Sequence, residues 1–279
     1  MGLTCSPWQK YVGRPQGAEG IALWNDFVDH CEKCGLNMII MDVGEGVQWE
    51  SHPELAIKGS WSKELVKSEA LRLREKGIEL IPKLNFSKTH DAWLGVYSRM
   101  VSTPEYYKVT KELIEEVYEI FLHPSIVHIG MDEENWKHAT DGSRSVIALR
   151  SSALQVDDTN YFIECVENLG ATCHMWHAPY CNVKEEDAER IKKSVIPEVW
   201  MYYSYLKENW TLISQQDDEV KDFYANEFVR RYGYTIEYVD GMIGAPWGGM
   251  LPERRELLWE AVELVGRARK QAEDIMQNA

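Results

Sequence analysis

Apolar positions along the chain fall alternately into short continuous runs and into longer stretches with helical spacing, the pattern of strands alternating with helices. Gly2 to Pro7 reads as a short first strand, followed by a Gly- and Pro-containing loop to Gly20. Ile21, Trp24, Val28 and Cys31 then recur at helical spacing, and Gly35 is placed to end that helix in the left-handed conformation. Leu36 to Asp42 is a buried strand ending in an acid, and a polar loop from Val43 to Trp61 carries Glu45, Trp49, Glu50 and His52. Ser62 caps a helix to about Lys76 with Leu65, Val66, Ala70 and Leu73 inward, Gly77 follows it, and Ile78 to Leu84 is the third strand. Thr103-Pro104-Glu105 starts a helix whose apolar stripe is Val109, Leu113, Val117 and Ile120.

Ser125 opens the fourth strand. Tyr161, Cys165 and Leu169 mark a helix closed by Gly170, before strands at Thr172 to His177 and Glu198 to Tyr203. Val220, Phe223, Tyr224 and Phe228 mark another helix, and both Thr235 to Val239 and Met242 to Trp247 read as strands. Too few residues separate that last pair for a parallel crossover, so strand 7 is short, displaced or nearer Leu212. Leu257, Leu258, Ala261, Val262 and Val265 make the closing helix. Eight strand candidates alternating with helices predict an α/β chain forming a single (β/α)8 TIM-type barrel over residues 1–279, irregular around strand 7. No G-x-G-x-x-G or P-loop follows any strand, which removes the usual nucleotide-binding reason for an open doubly wound sheet.

Composition narrows the partners. With 30 Lys and Arg against 45 Asp and Glu, a net charge of -15 and no basic block, the chain is unsuited to nucleic acid. No apolar segment approaches the roughly 20 residues that span a bilayer, and the N-terminus lacks a signal sequence. The chain as it stands therefore reads as soluble and cytoplasmic, or as secreted or periplasmic if a signal peptide was removed. Six scattered cysteines make no disulfide framework, and the C-x-x-C of Cys31 and Cys34 lacks both a second pair and a preceding strand, so neither zinc nor redox use is expected. Eleven Trp and fourteen Tyr exceed what a core needs, and aromatic faces are what apolar sugar faces stack on.

The run Ile126-Val-His-Ile-Gly-Met-Asp-Glu-Glu-Asn135 ends an apolar strand in three consecutive acids. Alternation places His128, Gly130 and Asp132 on one face and Val127, Ile129 and Met131 on the other. At the carboxyl end of a parallel strand, Asp132 and Glu133 would be aimed at a ligand. The plainer alternative is an acidic loop that caps the next helix.

Four stretches resemble glycoside hydrolase family 20, the β-N-acetylhexosaminidases. His128-Ile-Gly-Met-Asp-Glu133 is similar to the family's His-x-Gly-Gly-Asp-Glu strand, and Gly77-Ile-Glu-Leu-Ile-Pro-Lys-Leu-Asn85 through His90 to its Gly-Ile-x-x-Ile-Pro-Glu-Ile-Asp-x-Pro-Gly-His run. Asn37 to Asp42, with Trp49, Pro53-Glu-Leu55 and Trp61-Ser-Lys-Glu64, resembles its second strand and loop, and Ile243-Gly-Ala-Pro-Trp-Gly248 its last strand. The resemblance implies that Glu133 is the general acid and then base, and that Asp132 orients the substrate's own 2-acetamido group, whose carbonyl oxygen attacks the anomeric carbon. It implies substrate contacts from Asp42, His90, Trp176, His177, Trp200, Tyr202, Tyr203 and Trp247, with Tyr205 a further donor candidate, a carbohydrate partner, and neither cofactor nor metal. The oligomeric state stays open.

The departures are as informative. The family's first-strand arginine has no counterpart in Leu3 to Trp8, with Arg14 the nearest candidate; Lys83 and Asn85 replace Glu and Asp, and His177 and Gly249 stand where acids are expected. The acid pair is kept while the hydroxyl-binding shell is altered, which implies a divergent member. Two other readings remain: a retaining glycosidase with Glu133 or Glu134 as acid/base and Glu237 as nucleophile, and a barrel that binds carbohydrate without cleaving it.

Overall fold

The computed structural model describes residues 2–3, 17–134, 149–177, 183–199, 243, 250 and 252–278. In chain order these form β1 (Gly2–Leu3), α1 (Gly17–Lys33), β2 (Met38–Asp42), α2 (Lys63–Glu75), β3 (Glu79–Lys83), α3 (Pro104–Ile120), β4 (Ile126–His128), α4 (Ser152–Asn168), β5 (Thr172–His177), a short α5 (Glu185–Ala188), β6 (Ile196–Val199) and α6 (Arg255–Asn278). Six strands make one sheet in the order β1-β2-β3-β4-β5-β6, every neighbouring pair parallel. A doubly wound sheet reverses its order at a switch point, whereas this order runs straight through, as strands do around a barrel.

The helices form where capping and spacing direct. Ser62 accepts from the Leu65 N–H and Thr103 from the Tyr106 N–H, each satisfying a donor left open in the first turn. Buried Val66, Ala70 and Leu73 of α2 and Val109, Leu113, Val117 and Ile120 of α3 pack on the outer face of the sheet with Ile39, Leu80 and Val127. Three positions expected inward are exposed instead: Ile21, Leu65 and Leu257 lie at the edges of their apolar stripes while Trp24, Val66 and Leu258 take the buried places. Helix α1 begins at Gly17 rather than after Gly20, and β6 begins at Ile196, two residues before the expected Glu198, while residues 200–203 of the expected span lie outside the described residues. The helix expected over Val220 to Phe228, the strand expected at Thr235 to Val239 and, apart from Ile243, the strand expected at Met242 to Trp247 fall outside the described residues.

The largest departure is at the acidic run. β4 stops at His128, and Gly130, Met131 and Glu133 all adopt left-handed backbone, with φ of +76°, +73° and +57°. The expected alternation to Asp132 therefore does not hold: beyond His128 the chain coils, and tertiary hydrogen bonds rather than pleat decide where each side chain goes.

Register lines up a polar row across the sheet. Asp42 pairs with Lys83, Lys83 with His128, and His128 with His174. Asp42, Lys83 and His128 are the last residues of β2, β3 and β4, so the row lies at the carboxyl edge, where barrels of this type carry their sites.

Candidate functional site

Three side chains converge above that row. His90 Nε2 lies 3.1 Å from Glu133 Oε2 and 3.4 Å from Asp132 Oδ2. Asn85 Nδ2 donates to Asp132 Oδ1 at 2.7 Å, while Asn85 Oδ1 accepts from the backbone N–H of Ser87 and of Met131 at 3.1 and 3.3 Å. Thr89 donates to the Asp132 carbonyl, and Trp93 Nε1 donates to the Asn85 carbonyl at 2.9 Å. Asn85 thus fixes both the carboxylate and the coiled backbone that delivers it. His90, Asp132 and Glu133 keep small side-chain exposures of 18%, 12% and 16%, so the group is sheltered yet open to a ligand.

Burial and neighbouring charges act differently on the acids of this region. Burial pushes the Asp132 carboxyl up, but His90, Lys83 and the Asn85 hydrogen bond outweigh it, and its pKa lies below the ordinary value. Asp132 is therefore an anion across the neutral range. Asp42, buried and 2.7 Å from Lys83 Nζ, shows the opposite balance: burial raises its pKa more than Lys83 lowers it. Deeper in the row, His128 is fully buried and its pKa is lowered, chiefly by burial. Its Nδ1 accepts from the Gly130 N–H at 2.9 Å, which leaves Nε2 as the protonated nitrogen, 3.3 Å from Glu198 Oε2. Glu198 Oε1 is 2.7 Å from His174 Nδ1, and against the upward push of burial the two histidines hold the Glu198 carboxyl down at about 2.

The sequence-predicted residues divide into three sets. Asp42, His90, Asp132 and Glu133 lie in this region. Trp176 is buried below it, its ring 4.6 Å from that of His128 and 5.7 Å from Lys83 Nζ, inside the barrel layer. His177 ends β5, and its side chain lies outside the described residues, as do Arg14, Trp200, Tyr202, Tyr203, Tyr205, Glu237, Trp247 and Gly249. Glu134 does not suit the acid/base role that one reading gave it. Its carboxylate is fully buried and receives Arg150 Nε at 3.0 Å, the Arg150 N–H and the Lys88 N–H; despite burial, Arg150 holds its pKa below the ordinary value. Trp49 and Trp61, in the loop from Val43 to Trp61 that reads as polar, are core residues.

Sequence reasoning marked Lys83 and Asn85 only as losses and passed over Trp93 and Arg150. Lys83 and Asn85 prove to be the direct partners of Asp42 and Asp132. Among the described residues, His90, Asp132 and Glu133 are also the set whose ligand atoms, all within 4.8 Å of one another, are close enough for a metal ion. Their separations equally make direct ion pairs, and no metal role is assigned to them.

Comparison with known proteins bears on this arrangement. No protein-family model matches the chain, and neither does any curated sequence. Solved structures do. The tandem family 20 catalytic modules of the pneumococcal exo-β-D-N-acetylglucosaminidase superpose with a TM-score of 0.57 at 12% identity, over 88% of this chain and 79% of that one. The Flavobacterium johnsoniae chitobiase gives 0.55 at 18% identity over 73% of this chain, and the Vibrio harveyi exo-β-N-acetylglucosaminidase, solved with N-acetylglucosamine, 0.53 at 14% over 74%. The chain has the barrel fold of these proteins. It spans only 34% of the Flavobacterium protein and 38% of the Vibrio protein. At these identities the likeness speaks for the barrel, and any account of chemistry has to come from the residues.

Proposed function

We propose that this barrel is a glycoside hydrolase that cleaves a β-linked 2-acetamido sugar by substrate-assisted, retaining catalysis. The observation that carries the reading is the convergence of two adjacent acids on one histidine: Asp132, held as an anion by Asn85, Lys83 and His90, beside the partly exposed Glu133, which also touches His90.

An anionic Asp132 accepts the acetamido N–H and stabilises the positive charge that spreads onto the acetamido group as its oxygen attacks the anomeric carbon. Glu133 gives a proton to the departing oxygen. It then takes one from the water that opens the cyclic intermediate, and each cycle returns it to its starting state. His90 bridges the two carboxylates and keeps them in register. The barrels from the pneumococcal and Vibrio enzymes, whose names give N-acetylglucosamine chemistry, support the sugar class. Lys83 and Asn85, where the family pattern has acids, argue for a sugar substituted differently from unmodified N-acetylglucosamine.

Initial rates on aryl β-glycosides with and without the 2-acetamido group test the reading, using the native chain, Glu133→Gln, Asp132→Asn and Glu237→Gln. Turnover confined to acetamido sugars and lost in the first two variants is expected. Turnover of plain glycosides that ignores Asp132 and vanishes with Glu237→Gln would transfer the chemistry to two protein carboxylates. Binding without turnover would make the barrel a carbohydrate-binding one.

A further inference from the structure

The coil from Gly130 to Glu133 is strained, and such backbone persists only where its surroundings over-determine it. On its upstream side the constraints are His128 Nδ1 and Asn85 Oδ1, which accept the N–H groups of Gly130 and Met131. On its downstream side stands a buried charge cluster that takes no part in the proposed chemistry. Arg150, with no side-chain exposure, forks onto Glu134 through Nε and Nη2, donates from Nη1 to Asp158 Oδ2 at 3.0 Å and from Nη2 to the Phe86 carbonyl at 2.9 Å. Glu134 Oε2 also accepts the Lys88 N–H at 3.1 Å. Lys88 in turn donates from Nζ to Asp91 Oδ2 at 2.6 Å and to the Ser98 carbonyl.

One carboxylate therefore joins two segments. Glu134 follows Glu133 directly in the chain, and through Lys88 and Arg150 it clamps residues 86 to 91, the segment that presents His90. We propose that Glu134 and Arg150 are positioning residues that set the 3.1 Å contact between His90 and Glu133, and so the alignment of the acid. A buried ion pair is a poor source of stability compared with an apolar pair of the same volume, but its fork geometry fixes orientation closely, and alignment errors near 1 Å cost roughly 100-fold in rate. The inference rests on the reading of Glu133 as the acid.

The test compares Glu134→Gln, which keeps shape but weakens the hold on Arg150, with Asp158→Asn, which loosens the same cluster without touching Glu134. Both are assayed well below their unfolding midpoints on the acetamido glycoside. A fall in kcat of about 10- to 100-fold in Glu134→Gln, with KM within about threefold and Asp158→Asn much less affected, is expected. Equal losses in both, or losses in midpoint alone, would overturn the positioning role. Where Glu134→Gln does not fold, the double variant Glu134→Gln with Arg150→Gln removes both buried charges and takes its place.

A readout independent of turnover separates this proposal from the functional reading. Glu133→Gln is expected to move the His90 ring ¹⁵N shifts in the native background and to leave them nearly unchanged in Glu134→Gln, because the contact has been lost. The same response in both backgrounds would refute the clamp even if the chain cleaves sugars. Loss of the response in a chain that cleaves none would retain the clamp and discard the acid role.

Discussion

Gly130→Ala and Gly77→Ala form a matched pair that measures how tightly the site is built. Both glycines have left-handed backbone, with φ of +76° and +73°. A residue with a Cβ pays about 1–2 kcal/mol for that conformation at either position. A Cβ at Gly77 would meet nothing within 4 Å, whereas one at Gly130 would lie 2.2 Å from Asn85 Oδ1, 2.5 Å from Asn85 Cγ and 2.7 Å from the Asn85 Cα. The side chain could turn away only by giving up its bonds to Asp132, Ser87 and Met131, and the Cα cannot turn at all. Forced fits of this kind add about 1–3 kcal/mol. Gly77→Ala should therefore cost about 1–2 kcal/mol and Gly130→Ala about 2–5 kcal/mol. At roughly 2–4 °C per kcal/mol for a domain of this size, the extra ~1–3 kcal/mol should make Gly130→Ala melt about 2–12 °C below Gly77→Ala in thermal unfolding followed by circular dichroism at pH 7. It should also lose acetamido-glycosidase turnover that Gly77→Ala retains. Equal midpoints for the two variants would refute the close packing of Asn85 under the acid loop, and with it the account of how Asp132 is held.

Other perturbations address the remaining charges. Lys83→Met removes one of the cations that lower the Asp132 pKa, so Asp132 should titrate at higher pH and the acidic limb of the pH–rate profile should move up; an unmoved limb would remove Lys83 from the electrostatics of the pair. Glu198 has its pKa lowered from 4.5 to about 2, so its contribution to stability, on the order of 3 kcal/mol, is fully present above about pH 4.5 and is lost as pH falls towards 2. Glu198→Gln should flatten the dependence of the unfolding midpoint on pH across that window, and an unchanged slope would show that His174 and His128 do not hold its charge. Arg150→Met strands the Glu134 and Asp158 carboxylates in the interior and should lower unfolding free energy by about 3–5 kcal/mol in urea titration, with a loss under 1 kcal/mol counting against the network. Cys31 is buried and its thiol is pushed by burial up to about 12, so at pH 8 the folded protein should take up a thiol reagent at Cys34 well before Cys31; equal labelling would revive a reactive pair.

Where an element depends on its own residues, the chain announced it. Ser62 and Thr103 cap the helices their spacing suggested, and Thr172–His177 is the fifth strand to the residue, because capping and strand periodicity are local effects. The acid loop was legible in composition and illegible in shape. Little within Gly130 to Glu133 dictates three left-handed residues: His128 accepts the Gly130 N–H from two residues upstream, but the bonds from Asn85 to Met131 and from Arg150 to the adjoining Glu134 come from more distant parts of the chain. A lone arginine on no recognisable pattern gives no sign that it will be wholly buried. The one available signal was the third acid, Glu134, which has no task in a two-acid mechanism and so asked for a buried cation.

The same reasoning changes what the departures from the family pattern mean. Lys83 and Asn85 looked like erased sugar contacts, yet each bonds a carboxylate directly, Lys83 to Asp42 and Asn85 to Asp132. A lysine and an amide beside two acids differ in local charge from the acids of the family pattern by two units in the first case and one in the second, in a region where water screens poorly. Asp132 consequently keeps its charge without a ligand present. A site with acids in both places would have to take up protons or recruit a cation to do the same. On the proposed function, Lys83 and Asn85 therefore keep the anion that the mechanism needs while offering fewer acceptors for sugar hydroxyls than acids would, and specificity should differ from that of the family pattern more than the chemistry does. Lys83→Glu with Asn85→Asp tests that order: if it restores tight binding of unmodified N-acetylglucosamine, the altered shell determines substrate choice, whereas unchanged binding would mean these residues serve the acids alone.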